Sequence, residues 1–328
     1  MGTPSTTRNG FLEAIASTKT NAIGLPFIRG KWFFVDPLSG SSSNDGLTVD
    51  TAMDNISTAY TACTDGAGDG IALLSRVVSG TTTSSLLTAA ITWSKSGITV
   101  IGVSAQTGYN GRARVANATA LTDAPALITV SGMNNHFENI YLINEGTDNA
   151  AIGCLVVSAN RNSFYNCHFS QNGGTRTPQA TDNDVTLYSS ECTFERCFFG
   201  HNNRLRSGAA NGNLVLGNST TQIGQNYFTE CYFLSYSATS THGAIKIANA
   251  ATLGGWVIFD RCKFLNWNSG AQTALTTIII GETPNNCGIL LDRCASVGYA
   301  AVGANNDTWF TTAAASAAGT GTIANTIA

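Results

Sequence analysis

Phe164-Tyr165-Asn166-Cys167-His168-Phe169 is a phrase that the chain repeats. It returns as Phe194-Glu195-Arg196-Cys197-Phe198-Phe199, as Phe228-Thr229-Glu230-Cys231-Tyr232-Phe233 and as Phe259-Asp260-Arg261-Cys262-Lys263-Phe264. Softer copies flank the set, Phe137-Glu138-Asn139-Ile140-Tyr141-Leu142 before it and Leu291-Asp292-Arg293-Cys294-Ala295-Ser296 after it. Successive copies begin 27, 30, 34, 31 and 32 residues apart. A loose repeat of this period marks a stacked architecture, in which each unit buries its apolar face only against its neighbours.

Within the phrase the apolar positions are the first, fourth and sixth, where strict alternation would give the first, third and fifth. One residue has been inserted, and in two copies it is Asn139 or Asn166, a residue type that tolerates the left-handed conformation. The reading is a short strand, a one-residue bend and a second short strand, both aiming apolar residues into one interior. Wound once per repeat, this gives a parallel β-helix whose columns stack at about 4.8 Å per coil. The expected core ladder is Phe164, Phe194, Phe228 and Phe259 with Cys167, Cys197, Cys231, Cys262 and Cys294. Thiols one strand spacing apart sit too far apart for a bridge, so they are read as small hydrophobes.

The composition agrees. Of 328 residues, 43% are hydrophobic and 11% charged, with a net charge of −3, which argues against disorder and against a nucleic-acid partner. Gly is plentiful at 34 and Pro scarce at 6, as tight turns between many short strands require. The nine Cys are an odd number placed in a column, which argues against a disulfide framework, and no ligand spacing suggests a metal or a cofactor. No segment reads as a signal peptide or a membrane span, so synthesis in a cytoplasm is expected.

Four regions are expected. Residues 1–30 form an N-terminal arm with apolar Phe11, Leu12 and Ile15, and 31–70 carry a strand, a polar loop and a short capping helix over 51–63. The β-helix proper fills 71–310, and 311–328 form a cap or tail. The order of Lys31–Val35, the loop from Asp36 to Gly46, the helix, the Gly68-Asp69-Gly70 turn and the strand after it resembles the start of pectate-lyase-like right-handed β-helix proteins. Tailspikes and other phage virion proteins are among them, and the likeness covers roughly residues 32–305.

The acidic second column of the phrase, Glu138, Glu195, Asp260 and Asp292, offers the one candidate for catalysis. Asp260 and Asp292 fall on adjacent coils, about 5 Å apart, the separation of a retaining glycosidase. Against that, Arg196, Arg261 and Arg293 follow in sequence and would make cross-strand ion pairs instead. Asp182, Asp184 and His242 read as loop and turn residues, and Asn44-Asp45-Gly46 as a turn. The fifth column, Tyr141, His168, Phe198, Tyr232 and Lys263, points out of the coil, either under a local loop, as a subunit interface or as rings that stack on sugars.

The resemblance and the weak catalytic set imply a non-enzymatic structural protein of a tailed-phage virion, made in the host cytoplasm. The expected form is a homotrimeric capsid decoration (cement or head-fibre) protein. Its contacts would be Tyr141, His168, Phe198 and Tyr232, with Phe11, Leu12 and Ile15 of the arm reaching the major capsid protein or another virion protein. The alternative is a tailspike that binds or cleaves host surface polysaccharide. A cellular lyase or hydrolase comes third.

Overall fold

The computed structural model describes residues 28–78, 81–109, 111, 113–171, 181–202, 205–206, 211–217, 220–237, 240–248, 253–266, 275–281, 288–303 and 309–311. Phe11, Leu12 and Ile15, with nearly all of the expected arm and the 311–328 tail, lie outside the described residues.

The phrase folds as read. Its first half pairs with the first half one coil on, in parallel: Phe137 with Phe164, Phe164 with Phe194, Phe194 with Phe228, Phe228 with Phe259 and Phe259 with Leu291. These strands lie within a ten-stranded first sheet that runs from Trp32–Val35 to Trp309–Thr311. The second halves form an eight-stranded second sheet from Ser85–Leu87 to Ala295–Val297. The variable strands form an eight-stranded third sheet from Ile91–Trp93 to Tyr299–Gly303. The protein is a parallel β-helix with three strands per coil.

The inserted residue is the bend. Asn139, Asn166, Arg196, Glu230, Arg261 and Arg293 all have positive φ, between 49° and 55°. A second left-handed column, Asn134, Arg161, Glu191 and Gln225, turns the chain from the third sheet into the first. It escaped sequence reading because its members share no residue type.

Inside, the phenylalanines stack as columns. Ring centroids are 4.6 Å apart for Phe164–Phe194, 4.9 Å for Phe194–Phe228 and 4.6 Å for Phe228–Phe259. Each ring withdrawn from water contributes about 1.5–3 kcal/mol. Cys167, Cys197, Cys231, Cys262 and Cys294 are buried and unbridged, each thiol aimed at a carbonyl of the preceding coil, as in Cys231 Sγ to Phe194 O at 3.3 Å. Burial disfavours the thiolate and pushes Cys167 and Cys231 well above the ordinary thiol value.

At the N-terminal side the helix is shorter than the expected 51–63. It spans Ile56–Ala62, because Asn55 caps it by accepting from Ser57 N at 2.9 Å. Met53 pairs instead with Val35 in an isolated bridge. Ile56, Ala59 and Tyr60 join the main core, with Tyr60 stacked 4.2 Å from Trp93. The Asn44-Asp45-Gly46 loop is a turn. Asn44 donates to Ala52 O at 2.8 Å, and Asp45 accepts from Thr51 Oγ1 at 2.7 Å and Leu47 N at 3.0 Å.

Candidate functional site: a groove along the bend

The outward column does not form one exposed stripe. Tyr141 and His168 are buried at 1% and 0% exposure, which corrects the expectation that they are available as contact residues. The cover is the segment around Tyr109, whose ring lies 5.1 Å from His168 and whose hydroxyl donates to Asn202 Oδ1 at 2.6 Å. That segment passes so close that Gly108, at φ 65°, has no room for a Cβ, which would lie 2.6 Å from Phe198 Cε2. Underneath, His168 stacks 4.2 Å from Tyr141 and bonds Gly200 O through Nε2 at 2.7 Å. Burial lowers His168 to about 3 and His201, 5.9 Å away, to about 4.

Further along the axis the cover ends, and a groove of 480 Å³ opens. Half-buried Phe198 and Tyr232 line it as a stacked pair, centroids 4.6 Å apart and planes within 3°. Lys263 extends the row, its Nζ 4.9 Å from the Tyr232 centroid. Gln106, Thr107 and Gly108 also line it, as do the bend residues Asn166, Arg196, Glu230, Arg261 and Arg293. The bend residues form a ladder of ion pairs. Glu230 accepts from Arg196 Nε at 2.9 Å and pairs with Arg261 Nη1 at 2.9 Å. Asp260 pairs with Arg261 Nε at 3.0 Å and Arg293 Nη2 at 2.6 Å, and Asp292 with Arg293 Nε at 3.2 Å. The Arg196 hydrogen bond, with Arg261 and Lys263 nearby, holds Glu230 below the usual carboxylate range.

This ladder decides how the acid column reads. Asp260 and Asp292 do come onto adjacent coils in register. Yet both oxygens of Asp260 are occupied by guanidinium donors, and Arg293 links the two acids. A glycosidase pair needs one carboxyl free to hand a proton to the leaving oxygen. The geometry matches the cross-strand ion pairs expected as the alternative. Its arginines are half-exposed, at 54%, 46% and 56%, so each pair contributes little to stability.

A second polar cluster lies at the corner between the second and third sheets, where Asp182, Asp184 and His242 are buried at 1%, 0% and 0% exposure. They occupy loop and turn positions, as read from the sequence, but these positions lie inside the corner and not in solvent. Asp184 pairs with Arg206 Nη2 at 2.5 Å, and accepts from Gln171 N at 2.9 Å and Asn213 Nδ2 at 2.8 Å. Burial pushes Asp184 up, against the pull of Arg206. Among the described residues neither ring nitrogen of His242 has a hydrogen-bond partner, and burial holds this imidazole well below its ordinary value. Among the described residues no group of three or more His, Cys, Asp or Glu is placed to hold a metal ion. No described helix is long and apolar enough to cross a membrane.

No protein-family model matches the chain, and no curated protein matches it. Solved structures do. A pectate lyase, Pel9A, superposes with a TM-score of 0.56 at 15% identity over 84% of this chain, which spans 65% of that lyase's length. A pectin methylesterase from Aspergillus niger gives 0.47 at 18% identity, over 87% of this chain and 90% of that one. A rhamnogalacturonan lyase gives 0.47 at 12% identity, over 82% and 74%. At these identities the likeness to the lyase concerns the fold alone: this is a pectate-lyase-like parallel β-helix.

Proposed function

We propose that the chain is a recognition protein of a tailed-phage particle that lays a host surface polysaccharide along the groove. The observation that carries the reading is the alignment of the stacked Phe198–Tyr232 pair with Lys263 beside the guanidinium row, all running with the solenoid axis. Aromatic faces give an extended sugar chain apolar platforms. Lysine and arginine give its hydroxyl and acid groups charged donors at each coil. The phage setting rests on the resemblance of the start of the chain to virion β-helix proteins. The reading is of binding without glycosidic cleavage by Asp260 and Asp292, because the arginines occupy those acids.

The test is binding to a panel of capsular polysaccharides and lipopolysaccharides by calorimetry. Tyr232→Ala and Lys263→Gln should each weaken any binding found by about tenfold, roughly 1.4 kcal/mol. No binding across the panel, or binding indifferent to both changes, would overturn the reading.

A capsid decoration role as a homotrimer is the second reading, and a different surface favours it. Tyr227 and Trp256 are 47% and 50% exposed, and Tyr227 stands in register with Ile258 on the outer face of the first sheet. Exposed rings on a flat face suit a contact between subunits or with another virion protein. The trimer contact would then lie here and not at buried Tyr141 and His168. Sedimentation of Tyr227→Asp beside the native chain tests it, and a native monomer would remove it.

A further inference from the structure

One cluster on the outer face of the first sheet belongs to neither the groove's ion pairs nor the buried corner. His136 Nδ1 lies 2.8 Å from Ser163 Oγ. His136 Nε2 lies 3.5 Å from Glu138 Oε2, and the other oxygen of Glu138 accepts from Gln106 Nε2 at 3.4 Å. A hydroxyl, an imidazole, a carboxylate and a carboxamide thus stand in one chain of contacts. The fold supplies the juxtaposition. His136 and Glu138 sit two residues apart on the strand His136–Glu138, so their side chains share a face. Ser163 is the register partner of His136 on the next coil.

We propose that Ser163 is the nucleophile of an acyl-transfer centre that hydrolyses small acyl esters, with His136 as its base and Glu138 as the positioning residue. The nucleophile touches its base, and the base is oriented by a third group, which is the arrangement that activates a serine. The role requires the tautomer in which Nδ1 accepts the Ser163 proton and Nε2–H faces Glu138, so that each ring nitrogen has one task. Gln106 holds the carboxylate from its far side and also lines the groove, so the centre adjoins the groove without using its ion pairs. Ser163 is partly exposed, and the His136 and Glu138 side chains are 36% and 24% exposed, so an ester can approach. Thr193, the register partner of Ser163 one coil further on, is exposed on the same sheet. The partly exposed sheet face around Ser163 is reached most readily by small, unhindered acyl esters.

The steps balance without a cofactor. Ser163 Oγ bonds to the acyl carbon, the carbonyl π pair moves onto its oxygen, and Nδ1 takes the hydroxyl proton. Collapse breaks the ester C–O bond, and the departing alkoxide takes the proton from Nδ1. Water then attacks the acyl-Ser163 by the same route, giving the carboxylic acid and the free serine.

The experiment treats the full chain with a fluorophosphonate and maps adducts by mass spectrometry, beside turnover of p-nitrophenyl acetate. The expected result is an adduct on Ser163 that disappears in Ser163→Ala. In His136→Gln it should form about a hundredfold more slowly. In Glu138→Gln the adduct should form more slowly, and kcat for p-nitrophenyl acetate should fall while KM stays unchanged. A purely structural carboxylate would leave kcat in place in the folded variant. Melting curves of all three variants verify that they fold. No adduct on Ser163, or one formed as fast in folded His136→Gln, would overturn the proposal.

Discussion

Each coil turns a corner twice around the second sheet, and the two corners are built in opposite ways. Between the first and second sheets the chain turns on one left-handed residue, at Asn139, Asn166, Arg196, Glu230, Arg261 and Arg293. Apolar residues flank each bend, and the ion pairs lie outside in water. Between the second and third sheets the chain makes long excursions of unequal length, and here the polar groups lie inside. Asp184, Asn213, Gln171 and His242 are all buried, and Arg206 almost so. A tight corner repeats because its geometry has one solution. A wide corner leaves a gap, and Asp184, Arg206, Gln171 and Asn213 fill it with polar groups that satisfy one another, while His242 is buried beside them without such a partner among the described residues.

If the wide corner is held by its buried pair, breaking the pair should produce the largest effect in the molecule. Arg206→Leu leaves the carboxylate of Asp184 buried with, among the described residues, Gln171 N and Asn213 Nδ2 as its donors. The expected loss is about 3–5 kcal/mol in urea unfolding. Changing Asp184 to Leu as well should recover part of it, since no uncompensated charge then remains. A loss below about 1 kcal/mol for Arg206→Leu would mean that the corner depends on its backbone alone.

The next test uses acid. His242 is buried, with both nitrogens unpartnered among the described residues and its titration depressed, while burial lowers His168 to about 3. The unfolded chain takes up these protons near pH 6.5, and the folded chain does so only far below it. Folded-state stability is therefore fully present above about pH 6.5 and is lost as pH falls towards the folded values, by up to about 1.4 kcal/mol per pH unit for each imidazole. His242→Leu should flatten this acid limb by one proton's share without lowering stability at pH 8. Thermal unfolding between pH 8 and pH 4 checks both. An unchanged limb would place the acid sensitivity outside the wide corner.

The contrast also explains what could be read in advance. The tight corner was legible because a phrase with one extra residue has one structural meaning, and Asn at two of the six bends disclosed its handedness. The Phe and Cys columns followed from the same phrase. For Tyr141 and His168 the covered alternative of the fifth column holds and the contact role does not, because pointing out of a coil differs from reaching solvent. The segment around Tyr109 lies 59 residues before His168, and nothing local connects them. The buried fate of Asp184 depends on Arg206, which comes from another coil. His136 and Ser163 escaped notice because they lie just before the repeated phrase, where no pattern draws attention to them.

At the tight corner the conformational cost can be separated from the side chain. Arg261→Asn keeps a residue that accepts φ near 53° and should cost only a few tenths of a kcal/mol. Arg261→Val places a β-branched residue there and should cost about 1–2 kcal/mol. Cys231→Ala, one coil away in the ladder, should cost about 1 kcal/mol by lost packing, and alkylation of the native ladder thiols should be slow. Equal losses for the two Arg261 variants would mean that the salt bridge, and not the bend, matters at this position.

The smallest effect is expected where the sequence drew most attention. Asp260→Asn with Asp292→Asn removes both members of the would-be glycosidase pair and the charge partners of Arg293. If the pair were catalytic, the double change would abolish any release of oligosaccharide from a capsular or lipopolysaccharide substrate. In the reading developed from the groove, the carboxylates serve to hold the guanidinium row in place. The double variant should then release no less than the native chain and lose only about 0–1 kcal/mol of stability, because the pairs are open to water. It should also carry two fewer negative charges beside the groove. Binding of an acidic polysaccharide should therefore tighten, and that of a neutral one should not. Salt should suppress this gain, since the added attraction is a screened surface interaction. Measured turnover that the double change destroys would put catalysis back on the bend and reverse the contrast between the two corners.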